Sequence, residues 1–129
     1  MAWEHDIAWL AGFLDGEGCF EIARRSADSG LLRPSLSVTQ KDRQPLDKVV
    51  RLVGGSLSKD GRGYWRWTLT SRDTLLFILS EMIEHLTLKK KQAKVLLAFC
   101  ETIGTRGVNY TKNQRQAREL LASQIRGLK

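Results

Sequence analysis

The amphipathic segments of this chain predict an α+β fold in which an antiparallel sheet is backed by helices. Three observations carry the prediction. Apolar residues recur at helical spacing up to about Gly16, two pairs of alternating runs follow with a helical stretch between them, and the remainder is helical again. The expected order is αββαββα followed by one further helix and then an additional C-terminal helix. At 129 residues, 42% hydrophobic and 27% charged, the chain suits one hydrophobic core. It reads as a single domain over 1–129, with a core of about 3–103 and a helical extension of about 104–129. Neither an apolar run long enough to span a bilayer nor a signal-peptide pattern occurs, so the expectation is a soluble, intracellular protein.

The first helix rests on Trp3, Ile7, Leu10, Ala11 and Leu14, while Ala8, Gly12 and Gly16 line another face four residues apart. A glycine inside a helix costs about 0.8 to 1 kcal/mol relative to alanine, so two of them imply close approach of another helix. Past Gly18, Phe20 and Ile22 oppose Glu21, Ala23 and Arg25 as a strand, with a turn over 26–31. A second strand sets Leu32, Pro34, Leu36 and Val38 against Arg33, Ser35, Ser37 and Thr39, and Pro34 implies a free backbone edge or a bulge. Helix two follows through Leu46, Val49, Val50 and Val53, with Asp42 as N-cap and Gly54-Gly55 as the stop. Ser56 to Lys59 and Arg62 to Thr70 form a hairpin around an Asp60-Gly61 turn, with Trp65, Trp67 and Leu69 on its apolar side. Ser71 caps a third helix running through Leu75, Leu79, Met82, Ile83 and Leu86. A fourth helix covers about Leu88 to Ile103, with Val95, Leu96, Phe99 and Cys100 inward. Beyond a loop over 104–109, a last helix presents Ala117, Leu120, Leu121 and Ile125.

Charge narrows the function. The formal net charge is +7, and all of the excess falls in 66–129. Such a bias favours a polyanion, because neutralising phosphates releases counterions. Each strand pair also has a face rich in Arg, Ser, Thr and Tyr, instead of the Lys/Glu mixture that serves solubility. A β-ribbon of that kind can enter a DNA major groove and read base edges. Cys19 and Cys100 are too few for a zinc or disulfide framework and are expected to be reduced, and His5 and His85 stand alone.

The segment Leu10-Ala11-Gly12-Phe13-Leu14-Asp15-Gly16-Glu17-Gly18 places two carboxylates at the negative end of a helix. That arrangement is unfavourable by about 0.3 to 1 kcal/mol per charge, so something positive should lie close by. Carboxylate oxygens suit Mg²⁺, which assists phosphodiester hydrolysis by polarising phosphate and acidifying water. Lys89-Lys90-Lys91 at the start of the fourth helix is a second unfavourable cluster, three cations at the positive end of a helix. Val38-Thr39-Gln40-Lys41 ends the second strand.

The nine-residue segment resembles, nearly letter for letter, the motif of the LAGLIDADG homing endonucleases. Leu88 to Ala93 resembles the basic segment that follows the family's second strand pair, and Val38 to Lys41 resembles its strand end. The resemblance implies the family's fold, whose antiparallel sheet forms a DNA-binding saddle. It implies an intron-encoded, Mg²⁺-dependent endonuclease, with Ca²⁺ or Mn²⁺ as possible substitutes, that hydrolyses both strands of double-stranded DNA and leaves 3′ overhangs. Only one motif is present, which implies a homodimer on a long, near-palindromic site, joined at Ala8, Gly12 and Gly16. Glu17 and Gly16 would be the metal residues, and Glu17, Gln40, Lys89 and Arg43 the catalytic ones. Arg43 stands one residue before the family's arginine, whose place Gln44 takes. The sheet would contact DNA through Glu21, Ala23, Arg25, Arg33, Ser35, Ser37, Ser58, Arg62, Tyr64, Arg66 and Thr68. Two other readings stay open: an inactive or RNA-splicing maturase relative, and a general basic DNA-binding protein, for which the acidic helix end would have no role.

Overall fold

The expected order of elements is the observed one. The computed structural model describes residues 2–24, 31–104 and 109–128, in which α1 (Ala2–Glu17) leads into β1 (Cys19–Arg24) and β2 (Leu32–Gln40). Then come α2 (Gln44–Val53), β3 (Ser56–Lys59), β4 (Trp65–Leu69), α3 (Arg72–Met82), α4 (Lys90–Glu101) and α5 (Lys112–Gly127). Arg25 and most of the predicted turn over 26–31 lie outside the described residues, as does most of the loop over 104–109. Among the described residues no helix is long and apolar enough to cross a membrane.

The strands form one antiparallel sheet in the order β1-β2-β4-β3. Its register sorts side chains by parity. Phe20, Ile22, Leu36, Val38, Trp67 and Leu69 share one face and are buried beneath the helices. Glu21, Ala23, Arg33, Ser35, Ser37, Ser58, Arg66 and Thr68 share the other. Pro34 pairs with Ile22 in an unbroken register, while pairing to β4 begins only at Leu36. The proline therefore occupies a stretch of β2 with a strand on one side only, the free-edge alternative. From the helices, Ile7, Leu10, Ala11 and Leu14 of α1 join Leu75, Ile78, Leu79 and Met82 of α3 and Ala93, Leu96, Phe99 and Cys100 of α4 in the same core.

Several local expectations are corrected. Helix α2 has Arg43, not Asp42, at its N-cap, and the Asp42 carboxylate instead accepts from the Gln44 backbone N–H at 3.0 Å. Its stop is as expected, with Gly54 at φ 77°, where a side chain would be strained. The β3–β4 connection spans 60–64 rather than two residues, because the Asp60 carboxylate gathers the Arg62 and Tyr64 backbone N–H groups at 2.8 and 3.0 Å. These donations hold Asp60 below the usual carboxylate range. Ser71 caps α3 as expected, but α3 ends at Met82, and a 3₁₀ turn over Ile83–His85 delivers Leu86 to the core on extended backbone.

The last helix is rotated from the expected face. Ile125 is buried and Leu121 packs against the core as expected, but Leu120 and Ala117 are exposed, and Arg118 and Ala122 are buried in their place. Arg118 decides the rotation: its guanidinium lies between the rings of Phe99 and Tyr110, at 4.5 and 4.2 Å, and donates to Thr102 Oγ1 at 2.8 Å and the Leu32 carbonyl at 3.4 Å. A planar, weakly hydrated cation tolerates such a sandwich better than an ammonium does. Arg24 and Glu119 add a paired contact between β1 and α5 at 3.0 and 2.8 Å.

Candidate functional site

The end of α1 gathers three of the residues singled out by sequence. The helix closes with Gly18 N–H on the Leu14 carbonyl at 2.8 Å, and a Cβ at Gly18 would stand 2.7 Å from that same oxygen. Only glycine permits so tight a passage from helix to strand. The turn sends Glu17 and Asp15 to different partners. Glu17 is exposed, and its Oε2 accepts from Gln40 Nε2, at the end of β2, at 3.0 Å. Asp15 turns toward the segment before α4, where its Oδ1 accepts from the backbone N–H groups of Thr87, Leu88 and Lys89 at 3.1, 2.8 and 2.9 Å.

These donations satisfy amides at the entry to α4, which begins at Lys90 with no side-chain cap from its own N-cap residue, Lys89. Burial raises the Asp15 pKa, but the Lys89, Leu88 and Thr87 hydrogen bonds and the Lys89 charge outweigh it and hold the carboxyl below the usual range. The positive group required by the acidic helix end is Lys89, whose half-buried ammonium donates to the Gly18 carbonyl. The two unfavourable charge clusters of the sequence thus offset each other across α1 and α4.

Arg43 sits farther along the same edge. Its guanidinium pairs with Asp47 at 2.9 Å and lies 4.6 Å from the centroid of Trp65, the residue opposite Gln40 in the β2–β4 register. Trp65 is therefore only partly core, lodged between Arg43 and Lys59. Gly16 is exposed, and a Cβ there meets nothing within 4 Å. The other members of the small face, Ala8 and Gly12, are exposed as well, beside a stacked Trp9–Phe13 pair 5.2 Å apart.

On the polar face of the sheet, Arg33, Ser58 and Arg66 are exposed, and Glu21, Ala23 and Thr68 are partly so. Ser35 and Ser37 share that face but are covered, at 9% and 3% exposure. Their short side chains sit on an inner strand among longer neighbours, and Arg66 Nη2 reaches over Ser37 Oγ at 3.4 Å. Arg62 and Tyr64 extend the face into the hairpin loop, exposed and 5.5 Å apart, guanidinium carbon to ring centroid.

The donors suit a hard divalent cation in kind but not in number. Among the described residues no group of three His, Cys, Asp or Glu side chains could hold a metal. Glu17 offers one carboxylate, and Mg²⁺ commonly takes one or two carboxylates together with substrate phosphates. A second copy of the chain would double that set.

Known proteins share this chain's sequence pattern and fold. Residues 10–103, which include the helix end, the sheet and most of the helical layer, match the LAGLIDADG endonuclease family. The chain belongs to the LAGLIDADG family. The DNA endonuclease I-CvuI of Chlorella vulgaris is 32% identical over 98 residues, which are 70% of this chain and 61% of that protein. The match therefore spans less than two thirds of that relative's length. A crystal structure of I-CvuI in complex with its target in the presence of 2 mM Ca superposes with a TM-score of 0.85 at 26% identity, covering 98% of this chain and 83% of that one. A second, on the I-CreI target in the presence of 2 mM Mg with the DNA not cleaved, gives 0.82 at 27%, covering 97% and 84%. The fold is that of the LAGLIDADG homing endonucleases.

The Asp15 clamp was not legible from sequence, nor was the burial of Arg118. One signal for the clamp existed: Thr87-Leu88-Lys89 contains no side chain that caps α4, so its amides needed an acceptor from elsewhere.

Proposed function

We propose that this LAGLIDADG protein is a site-specific double-stranded DNA endonuclease that acts as a homodimer. It cleaves a long, near-palindromic site by Mg²⁺-dependent phosphodiester hydrolysis and leaves 3′ overhangs. The observation that carries the reading is the Glu17–Gln40 hydrogen bond at the end of α1, with Lys89 anchored to Gly18 one residue from Glu17. Two copies related about the Ala8, Gly12 and Gly16 face bring two such helix ends together, and among the described residues one chain alone holds no sufficient set of carboxylates.

Within each half of the dimer, Glu17 and Gly16 would hold the metal. Bound Mg²⁺ supplies positive charge at the scissile phosphate and lowers the pKa of the attacking water. Gln40 fixes the Glu17 carboxylate through one oxygen and presents its own carbonyl to water. Lys89 brings positive charge toward the phosphate as negative charge builds in the transition state. Arg43, held by Asp47 and Trp65, contributes charge at the rim. Glu21, Ala23, Arg33, Ser35, Ser37, Ser58, Arg62, Tyr64, Arg66 and Thr68 form the contact surface for the DNA grooves, arginine preferring guanine O6 and N7.

Glu17→Gln tests the reading. The amide keeps an oxygen for the Gln40 bond and loses the charge a metal requires. Binding of the selected DNA site in Ca²⁺ should persist while cleavage in Mg²⁺ disappears. Cleavage by the pure variant at the wild-type rate removes Glu17 from the chemistry.

A further inference from the structure

Lys89 is tied at both ends to the four residues that carry Glu17. Its backbone N–H donates to Asp15 Oδ1 at 2.9 Å, and its ammonium donates to the Gly18 carbonyl. The same Asp15 oxygen holds the N–H groups of Thr87 and Leu88, so the chain entering α4 rests on a single side chain. Asp15 also places a negative charge before the N-terminus of α4, where Lys89, Lys90 and Lys91 would otherwise concentrate positive charge against the helix dipole. Its carboxylate points away from the Glu17–Gln40 pair, into this segment.

We infer that Asp15 is a positioning residue for cleavage. It fixes the distance between Lys89 and Glu17 by clamping the α4 entry to the last turn of α1, and it touches neither metal nor DNA. The inference rests on the cleavage reading above. Without the clamp, the Thr87–Lys89 amides lose their acceptor and the Lys89 backbone is released, although α4 stays packed through Ala93, Leu96, Phe99 and Cys100. A displacement of about 1 Å at such a group can cost about 10²-fold in rate.

The test compares wild type, Asp15→Ala, Asp15→Asn, Lys89→Ala and the Asp15→Ala/Lys89→Ala double variant as full chains, with Glu17→Gln in the same series. Single-turnover cleavage in Mg²⁺, DNA affinity in Ca²⁺ and amide hydrogen exchange are measured for each. Asp15→Ala should cut about 10²-fold more slowly, with DNA affinity unchanged and protection lost at Thr87, Leu88 and Lys89. Asp15→Asn, which keeps an accepting oxygen, should recover most of the rate and the protection. The double variant should be no slower than Lys89→Ala, since both changes remove one interaction. Wild-type cleavage by Asp15→Ala, additive losses in the double variant, or unchanged amide protection would each overturn the inference. So would an altered Mg²⁺ requirement in Asp15→Asn, which would make Asp15 a metal ligand. Should Asp15→Ala not fold, the cycle is run with Asp15→Asn, whose smaller loss must vanish in the Lys89→Ala background. Absence of Mg²⁺-dependent cleavage by the wild type overturns the cleavage reading itself, and wild-type-rate cleavage by Glu17→Gln removes only Glu17 from it, whereas the exchange protection still reports whether the clamp exists.

Discussion

Gly12→Leu should separate folding from assembly. Gly12 lies exposed in the middle of α1, and a Cβ built there meets nothing within 4 Å. A leucine therefore fits the isolated chain, and leaving glycine in a helix interior stabilises that chain by about 0.8 kcal/mol. In a dimer joined through this face the same side chain enters a helix crossing, once from each copy. Overpacking costs about 1 to 3 kcal/mol per site, so two sites weaken association by about 2 to 6 kcal/mol. The dimer dissociation constant should rise by about 30-fold to more than about 10⁴-fold. Sedimentation equilibrium over a concentration series reads that constant, and thermal unfolding of the dilute, monomeric variant reads the chain's own stability. The expected result is a monomer that is at least as stable as the unassociated wild-type chain and does not cut. A variant with an unchanged dimer constant would place the interface on another surface, and an unfolded variant would show that Gly12 is constrained within its own chain.

Three other outcomes follow from the structure. Trp67→Phe removes the donor that Gly54 O accepts from at 2.8 Å and opens a void at a fully buried site. Urea unfolding should show a loss of about 2 to 4 kcal/mol, and a much smaller loss would mean that Gly54 finds another donor. Arg66→Ala removes an exposed guanidinium from the polar sheet face. It should weaken binding by about 5- to 150-fold at one position of each half-site, and selection from a randomised library that still prefers the original base there would refute the contact. Burial pushes the Cys100 thiol up from 9.0 to about 11. The folded state therefore holds this proton more tightly than the unfolded one, so the contribution is intact below pH 9 and is lost as pH rises toward 11. Cys100→Ser should flatten that alkaline loss, and an unchanged profile would assign it to other groups.

The strand pattern was legible because alternation is local. Glu21, Arg33, Ser37 and Arg66 fall on one face by parity alone, whatever packs behind them. The nine-residue helix end was legible because its glycines and carboxylates contradict ordinary helix chemistry. Other features depended on partners distant in sequence. Asp15 and Leu88 are 73 residues apart, and neither shows that the other completes it. The α5 face was misjudged because Arg118 is buried by two rings and a hydroxyl, which no helical period encodes. The hairpin loop lengthened because Asp60 satisfies two amides at once, a choice made by geometry and not by the Asp-Gly pair.

The segment from Leu10 to Gly18 pointed to the family through its resemblance to the LAGLIDADG motif, while periodicity and charge were enough to predict the α+β class and the polar sheet face. These are consequences of nearest-neighbour chemistry along the chain. Folding alone decided that Glu17 meets Gln40, that Asp15 holds the entry to α4, and that Lys89 returns to Gly18. Each of those contacts is a hydrogen bond of about 3 Å or less between groups far apart in sequence. Such a bond forms only where packing of the shared core brings α1, β2 and α4 to one edge.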